Sequence, residues 1–246
     1  LAGGGGDDAL YGGSGPDRLY LGLGDDLGAG GPGNDIIVAG AGENTIYTGT
    51  GRDEVQGGTG RDLIVGAGGA NRLFGNGGND WMRAGNAGDL LAGGGGDDAL
   101  YGGSGPDRLY LGLGDDLGAG GPGDDIIVAG AGNNRLIGAA GSDTIVAGQG
   151  RDILTGGPGS DTFVFSTPDR AGIGARRDVI TDFASGTDRI DLSAMALTFT
   201  TASIAGTATV SAFDGLVAGD ADADGIPDFA IELREAGILG ADDFIL

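Results

Sequence analysis

Aspartate recurs every nine residues through the first two thirds of the chain, each time after alternating glycines. The stretch from residue 12 to residue 20 shows the pattern and reads GGSGPDRLY, with aspartate at the sixth position and a large apolar residue at the eighth. Carboxylate and backbone carbonyl oxygens are the donors that hard cations such as Ca²⁺ prefer. Glycine allows positive φ, which turns the carbonyls toward one point. The spacing therefore predicts a series of calcium sites.

The pattern continues without interruption for 18 nonapeptides, from residue 3 to residue 164. Position 6 is aspartate in 15 of them and asparagine in the other three, so an oxygen donor is always present. The predicted side-chain ligands are Asp8, Asp17, Asp26, Asp35, Asn44, Asp53, Asp62, Asn71, Asp80, Asp89, Asp98, Asp107, Asp116, Asp125, Asn134, Asp143, Asp152 and Asp161. A single such turn is usually a solvated loop, but 18 in unbroken register indicate a repeat architecture.

Short β-strands must position these turns. The last three residues of each nonapeptide predict a strand whose middle residue points inward and whose neighbours point outward. Position 8, the inward one, is apolar except at Gly28 and Gly118. Two nonapeptides make a coil of 18 residues, and nine coils at about 4.8 Å spacing stack into a rod about 43 Å long. A cation would then lie between one turn and its equivalent in the next coil.

The nonapeptide closely resembles the calcium-binding repeat of RTX proteins, also called the hemolysin-type repeat, over residues 3–164. The resemblance implies an all-β fold: a right-handed parallel β-roll followed by a β-rich C-terminal cap. It also implies that calcium is bound by carbonyls at positions 2 and 4 together with the carboxylate at position 6. The implied carbonyl ligands are Gly4, Gly6, Gly13, Gly15, Gly31, Gly33, Gly58, Gly60, Gly94, Gly96, Gly103, Gly105, Gly121, Gly123, Gly148, Gly150, Gly157 and Gly159.

The composition excludes several classes of function. The net charge is −23, from 36 acidic and 13 basic residues, so the chain repels nucleic acid and anionic membranes. The sequence has no His and no Cys, which removes the usual zinc sites and most nucleophile–base pairs. No apolar run approaches the roughly 18 residues of a membrane span. We therefore expect no enzyme activity in this chain.

Two features concern the ancestry of the chain. Leu1 and Ala2 match the last two positions of a nonapeptide, so we expect a fragment of a longer array, and any catalytic domain would lie upstream. Residues 1–33 recur unchanged as residues 91–123. The offset is five complete coils, which keeps every turn on its own edge of the roll. Recent duplication and deliberate engineering would each produce this identity.

The register ends at Phe165, and we divide the chain into a β-roll over residues 1–164 and a cap over residues 165–246. A loop is expected over residues 167–177, followed by strands over residues 178–183, 188–192 and 197–213. This part resembles the C-terminal cap of secreted RTX proteases and alginate epimerases. A plain β cap that closes the open end of a roll has the same pattern.

A second motif in the cap has the form D-x-D-x-D-G, the first half of an EF-hand-type loop. Its candidate ligands are Asp220, Asp222, Asp224 and Asp228. The Glu of loop position 12 is replaced by Ile231. The alternatives are a further calcium site, with Asp228 in partial substitution, and a solvated acidic turn.

The chain ends with residues 242–246, DDFIL, which resemble the C-terminal signal of type I secretion substrates. The alternative is a last strand of the cap. Arginines at position 7 (Arg18, Arg72, Arg108 and Arg135) are either solvated charges or contacts for an anionic polysaccharide or cell-surface partner.

We therefore predict a calcium-binding RTX module of a secreted protein, extracellular and either free or associated with the cell surface. It would be disordered without calcium and fold on binding calcium outside the cell, supporting type I secretion and stability. Two alternatives stay open. The chain could be the non-catalytic tail of a secreted metalloprotease, lipase or epimerase, or part of an adhesin or S-layer protein.

Overall fold

The structure, a computed structural model, describes residues 1–166, 177–200, 209–213, 215–223, 227–234 and 239–246. Within these residues the chain is all-β, with two short 3-10 helices, Ser193–Met195 and Ala241–Asp243. In chain order, strands β1 to β26 are Ala2–Gly5, Ala9–Tyr11, Arg18–Leu23, Leu27–Pro32, Ile36–Ala41, Thr45–Thr50, Glu54–Thr59, Leu63–Val65, Arg72–Gly77, Trp81–Arg83, Leu90–Gly95, Ala99–Tyr101, Arg108–Leu113, Leu117–Pro122, Ile126–Ala131, Arg135–Ala140, Thr144–Val146, Ile153–Thr155, Thr162–Val164, Asp178–Ile180, Arg189–Asp191, Thr198–Phe199, Thr209–Phe213, Leu216–Asp220, Phe229–Leu233 and Phe244–Ile245.

Strands β1 to β21 alternate between two sheets. The first sheet contains the odd-numbered strands β1 to β21 and ends with β26. The second contains the even-numbered strands β2 to β20, followed by β25, β24, β23 and β22. Along the array each strand pairs in parallel with the strand 18 residues further on, as Leu19 with Ile37 and Leu73 with Leu91. The predicted parallel β-solenoid of about nine coils is confirmed.

Many strands are longer than the predicted three residues. A strand such as β3 covers positions 7–9 of one nonapeptide and positions 1–3 of the next. Side chains alternate along a strand, so position 1 points inward just as position 8 does. Leu21 and Ala39, both at position 1, are completely buried together with the position-8 residues Leu19 and Ile37. The core therefore receives two side chains from each of the strands β3 and β5.

Inward packing at position 1 explains the two glycines at position 8. A Cβ placed on Gly28 would lie 3.0 Å from Leu21 Cδ1, and a Cβ on Gly118 would lie 3.0 Å from Leu111 Cδ2. Both leucines are fully buried. Each one fills the interior space that the position-8 side chain occupies in the other repeats.

The stack of coils continues beyond residue 164. Strand β20 pairs in parallel with β18, and β21 pairs in parallel with β19. These two strands lie where strands were expected over residues 178–183 and 188–192. Strand β26, near the chain end, then adds to β21, and β25 adds to β20. Residues 167–176 and 201–208, in the expected loop and the last expected strands, lie outside the described residues, and the division of the chain at residue 164 stays a prediction.

Candidate metal centres along the two edges of the roll

The turns between strands form two parallel edges. Turns on the first edge contain the position-6 residues Asp8, Asp26, Asn44, Asp62, Asp80, Asp98, Asp116, Asn134 and Asp152. Turns on the second edge contain Asp17, Asp35, Asp53, Asn71, Asp89, Asp107, Asp125, Asp143 and Asp161. The structure therefore brings all 18 predicted side-chain ligands into two columns, and calcium binding by the individual residues stays a prediction.

A hydrogen-bond ladder runs through each column. The backbone N–H of Asp8 donates to Asp26 Oδ1 at 2.8 Å, and the same bond joins every position-6 residue to its equivalent in the next coil. From Asp26 to Asp161 these side chains are at most 3% exposed. One oxygen of each carboxylate is thus fixed by the backbone of the preceding coil.

The ladders extend into the C-terminal region. Asp152 N–H donates to Asp178 Oδ1, and Asp161 N–H donates to Asp188 Oδ1. Neither acceptor was among the predicted ligands. A sequence signal was present, because each is followed two residues later by a buried isoleucine, as position 6 is followed by position 8.

The other carboxylate oxygen has no hydrogen-bond donor in 13 of the position-6 aspartates. These buried atoms are Oδ2 of Asp8, Asp17, Asp26, Asp35, Asp53, Asp62, Asp80, Asp98, Asp107, Asp116, Asp125, Asp143 and Asp161. A buried carboxylate oxygen without a donor or counter-charge costs several kcal/mol. A bound cation removes that cost, so the donor set fits Ca²⁺.

Backbone carbonyls at position 4 supply further oxygens. The carbonyls of Gly6, Gly15 and Gly24 accept none of the backbone hydrogen bonds between the described turns. Gly24 has φ 126°, and a Cβ there would lie 2.5 Å from Gly6 O in the preceding coil. Glycine is therefore required, because the carbonyl of one coil points at the α-carbon of the next. At position 2, Asn76 and Ala139 keep positive φ without being glycine.

Each position-6 residue forms one rung of its hydrogen-bond ladder. At two of the three asparagine rungs, the side-chain amide nitrogen is hydrogen-bonded without a cation. Asn44 Nδ2 donates to Gly42 O at 3.1 Å and to Asp62 Oδ1 at 2.9 Å. Asn134 Nδ2 makes the same two bonds, to Gly132 O at 3.2 Å and to Asp152 Oδ1 at 3.0 Å. The amide thus contacts both the position-4 carbonyl and the next position-6 oxygen. At these two rungs an N–H donor therefore occupies the position that a carboxylate oxygen occupies at the aspartate rungs.

Burial raises the pKa of several ladder carboxyls. The pKa of Asp98 and Asp107 is raised to about 7, chiefly by burial and further by neighbouring aspartates, against the lowering effect of a backbone N–H bond. Burial raises the pKa of Asp80, Asp143 and Asp161 to about 6 for the same reasons. Without metal, burial therefore shifts these groups toward the neutral form, and a calcium ion would shift them toward the charged form.

A second ladder at position 5 was missed in the sequence. Asp25 N–H donates to Asp7 Oδ1 at 3.0 Å, and Glu43 N–H donates to Asp25 Oδ1 at 2.7 Å. These bonds are exposed and run in the opposite direction from those at position 6. The signal was the frequent Asp or Asn at position 5, as in Asp97 and Asp115.

The predicted EF-hand-like ligands partly converge. Carboxylate oxygens of Asp220, Asp222 and Asp228 lie within 4.8 Å of one another. Asp228 Oδ2 also accepts the N–H groups of Ala221 at 2.8 Å and Asp222 at 3.2 Å. Asp224 lies outside the described residues, and calcium binding at this loop stays a prediction.

The fold and its two columns of turns define a parallel β-solenoid with repeated oxygen-donor sites. The pattern of the RTX calcium-binding nonapeptide repeat matches overlapping stretches from residues 1–28 to residues 137–165, with no gap between them. The chain belongs to this family. It is a calcium-binding RTX repeat module, of a kind typical of secreted proteins.

Solved structures with similarity to the chain include two repeat subunits of an enzyme from Azotobacter vinelandii. The AlgE6R2 subunit of a mannuronan C5-epimerase is 31% identical, over 54% of this chain and 88% of that chain, with a TM-score of 0.40. The AlgE6R3 subunit is 29% identical, over 65% and 78% respectively, with a TM-score of 0.33. No curated protein matches the chain. Among the described residues, no helix has the length and apolar character needed to cross a membrane.

Proposed function

We propose that the chain is a calcium-operated folding module of a secreted protein. Without calcium the roll does not form, and at extracellular calcium levels it folds, which supports export by a type I system and stability outside the cell. The observation that supports this is the set of 13 buried Oδ2 atoms that have no hydrogen-bond donor. Metal-free folding would have to bury these oxygens either without a counter-charge or protonated.

The proposed binding sites lie between adjacent coils at the aspartate rungs. There Oδ2 of position 6 and the carbonyl of position 4 would hold the ion, while Oδ1 stays bonded to the preceding coil, as in the pair Asp80 and Asp98. Each coil contacts only its neighbours, so an ion that orders one coil favours binding at the next. We therefore expect cooperative binding along each edge.

The affinity of such sites determines where the chain folds. Extracellular calcium modules typically have Kd values of about 10⁻⁴ to 10⁻³ M. With affinities in that range, the chain stays unfolded at cytosolic calcium and folds after export. The residues 242–246 would then serve as part of the secretion signal, and Asp220, Asp222, Asp224 and Asp228 would bind a further ion in the cap.

A calcium titration of the chelated protein tests this function. Far-UV circular dichroism follows β structure, and Trp81 fluorescence follows coil stacking, because the Trp81 ring lies 5.5 Å from Tyr101 in the next coil. We expect one cooperative coil-to-β transition near millimolar calcium and no such transition with magnesium. An equal β signal in chelator would show that packing alone holds the roll and would contradict the proposal.

The proposal also makes the chain non-catalytic. Two features support it: the sequence has no His or Cys, and the buried carboxylates repeat along two edges instead of meeting in one distinct pocket. An attached domain would supply any enzyme activity of the full-length protein. Turnover of casein, tributyrin or polymannuronate by the calcium-loaded chain would contradict this part of the proposal.

A further inference from the structure

The outer face of the second sheet is apolar along the roll. In the even-numbered strands β2 to β18, positions 7 and 9 point outward, and none of these 18 side chains is buried. Fourteen of them are apolar or aromatic, two are threonines, and the two charged ones are Arg83 and Arg135. This face has no carboxylate, in a chain of net charge −23. The same face of the first sheet has four charged side chains at position 7.

The face is large enough to bind a partner. Nine coils at about 4.8 Å spacing give a length of about 43 Å, and strands of three to six residues give a width of about 10–20 Å. The resulting area of about 400–900 Å² compares with about 800 Å² per partner in a standard protein interface. Contiguous exposed apolar patches of this size mark interaction surfaces.

The outward residues of this face combine one large and one small side chain in the same strand. Strand β2 has Ala9 before Tyr11, whereas β4 has the reverse order, with Leu27 before Ala29. Strand β6 returns to the order of β2, and the internal duplication repeats both patterns in β12 and β14. The order of large and small residues therefore alternates between neighbouring coils in these strands.

We propose that this face binds the same face of a second copy of the chain, related by a two-fold axis parallel to the roll. This rotation keeps the order of the coils and reverses the strand direction. Position 7 of each strand then faces position 9 of the same strand in the second copy. Tyr11 thus faces Ala9, and Leu27 faces Ala29. A shift by one coil would place Tyr11 against Leu27, so the alternation specifies the register.

The charges around the face favour the same orientation. Position 5 of the first edge has five carboxylates and two arginines, whereas the charged residues at position 5 of the second edge are Asp124 and Arg52. The proposed rotation places the first edge of one copy beside the second edge of the other. A two-fold axis along the strands would bring the two acidic first edges together, where like charges repel. The proposed rotation also places Arg83 opposite the Trp81 ring of the second copy, a favourable contact for a guanidinium.

Sedimentation velocity of the calcium-loaded chain over a range of concentrations tests the dimer. We expect a monomer–dimer equilibrium in which Trp81 emission moves to shorter wavelength as the dimer forms, because the second copy covers the ring. The far-UV spectrum in calcium reports folding separately. A folded chain that stays monomeric would overturn the dimer and leave the calcium-folding proposal intact, whereas a chain without β structure in calcium would overturn the folding proposal.

Two tyrosines provide a matched pair of variants. Tyr47 on the second sheet is 47% exposed, Tyr20 on the first sheet is 50% exposed, and both are at position 9. Y47E should weaken dimerisation at least about tenfold, because docking would bury a carboxylate in an apolar contact. Y20E adds the same charge on the opposite face and should leave the dimerisation constant unchanged. Equal weakening by both variants would indicate general charge repulsion and would overturn the interface.

The size pairing is tested by a compensating substitution in strand β6. T45Y places a second large ring opposite Tyr47 of the other copy and should weaken dimerisation at least about tenfold, because the contact becomes overpacked. Adding Y47T restores one large and one small residue in the strand. T45Y/Y47T should therefore recover the affinity of the unsubstituted chain. A double variant that dimerises no more tightly than T45Y would overturn the coil-matched arrangement.

Discussion

Lowering the pH should fold this chain in the absence of calcium. Burial raises the pKa of Asp98 and Asp107 to about 7, above the ordinary value of 3.8 that the unfolded chain keeps. The folded metal-free roll therefore binds protons more tightly than the unfolded chain. The resulting stabilisation is present at acidic pH and is lost as the pH rises through the folded pKa values.

The size of this effect follows from the shifts. Protonation of a carboxyl whose pKa rises to about 6 increases the free energy of unfolding by about 3 kcal/mol. For a carboxyl raised to about 7 the increase is about 4 kcal/mol. Solvent near the turns reduces these values. The five carboxyls raised to about 6 or 7 together still reach the range of 5–15 kcal/mol that typically separates folded from unfolded domains.

The assay is a pH titration of calcium-stripped protein, followed by far-UV circular dichroism and starting at about pH 8. The titration stops well above the pI of about 4.1, because the protein would aggregate near its pI. We expect β structure to appear as the pH falls below the raised values of about 6 and about 7, with a midpoint between those values and the ordinary value of 3.8. A sodium chloride titration at pH 8 is the control, because it screens charge without protonating Asp98. If the spectrum stays that of a coil throughout, or if salt alone gives the same change, the carboxylate argument is refuted.

Three further predictions concern single residues. D98N should bind fewer calcium ions by calorimetry and should show more β structure in chelator, because an amide can bridge the coils as Asn44 and Asn134 do. A calcium count equal to that of the unsubstituted chain would contradict this. G96A should destabilise the calcium-loaded roll by about 1–3 kcal/mol, because Gly96 has φ 119° and faces the carbonyl of the preceding coil. G95A, with nothing within 4 Å of the new methyl, is the control, and equal thermal shifts for both variants would count against it. L21A should cost about 2–5 kcal/mol in thermal or denaturant unfolding, whereas L23A, at a side chain that is 65% exposed, should change little.

The sequence predicted the solenoid and both columns of turns, because a strict nine-residue period fixes which residues stack. Asp80 and Asp98 are 18 residues apart, and the structure joins them directly. The continuation to Asp178 and Asp188 was missed because the spacing there becomes 26 and 27 residues. The change of spacing removes Asp178 and Asp188 from the nine-residue period, although each is followed two residues later by a buried isoleucine, as in the repeats.

Other features depend on differences between side chains that a shared pattern conceals. The inward role of Leu21 becomes visible only beside Gly28, which lacks a side chain. A cavity of about 450 Å³ on the second edge is lined by Ala70 and Gly88, which are small residues in two adjacent coils, and no single repeat shows this relation across 18 residues. The opposite directions of the two ladders follow from backbone geometry at positions 5 and 6, which residue types alone do not fix.

The buried ladder gives the roll a direction of growth. Every position-6 N–H depends on an acceptor one coil nearer the C terminus, whereas the exposed position-5 bonds can be replaced by water. Asp188, at the far end of the second edge, is held within its own loop, because its Oδ2 accepts the N–H of Ala184. A chain that assembles from this end always finds the next acceptor already in place. Assembly from the opposite end would leave each buried N–H without its acceptor until the following coil forms. We therefore expect folding of the roll to start from the C-terminal region.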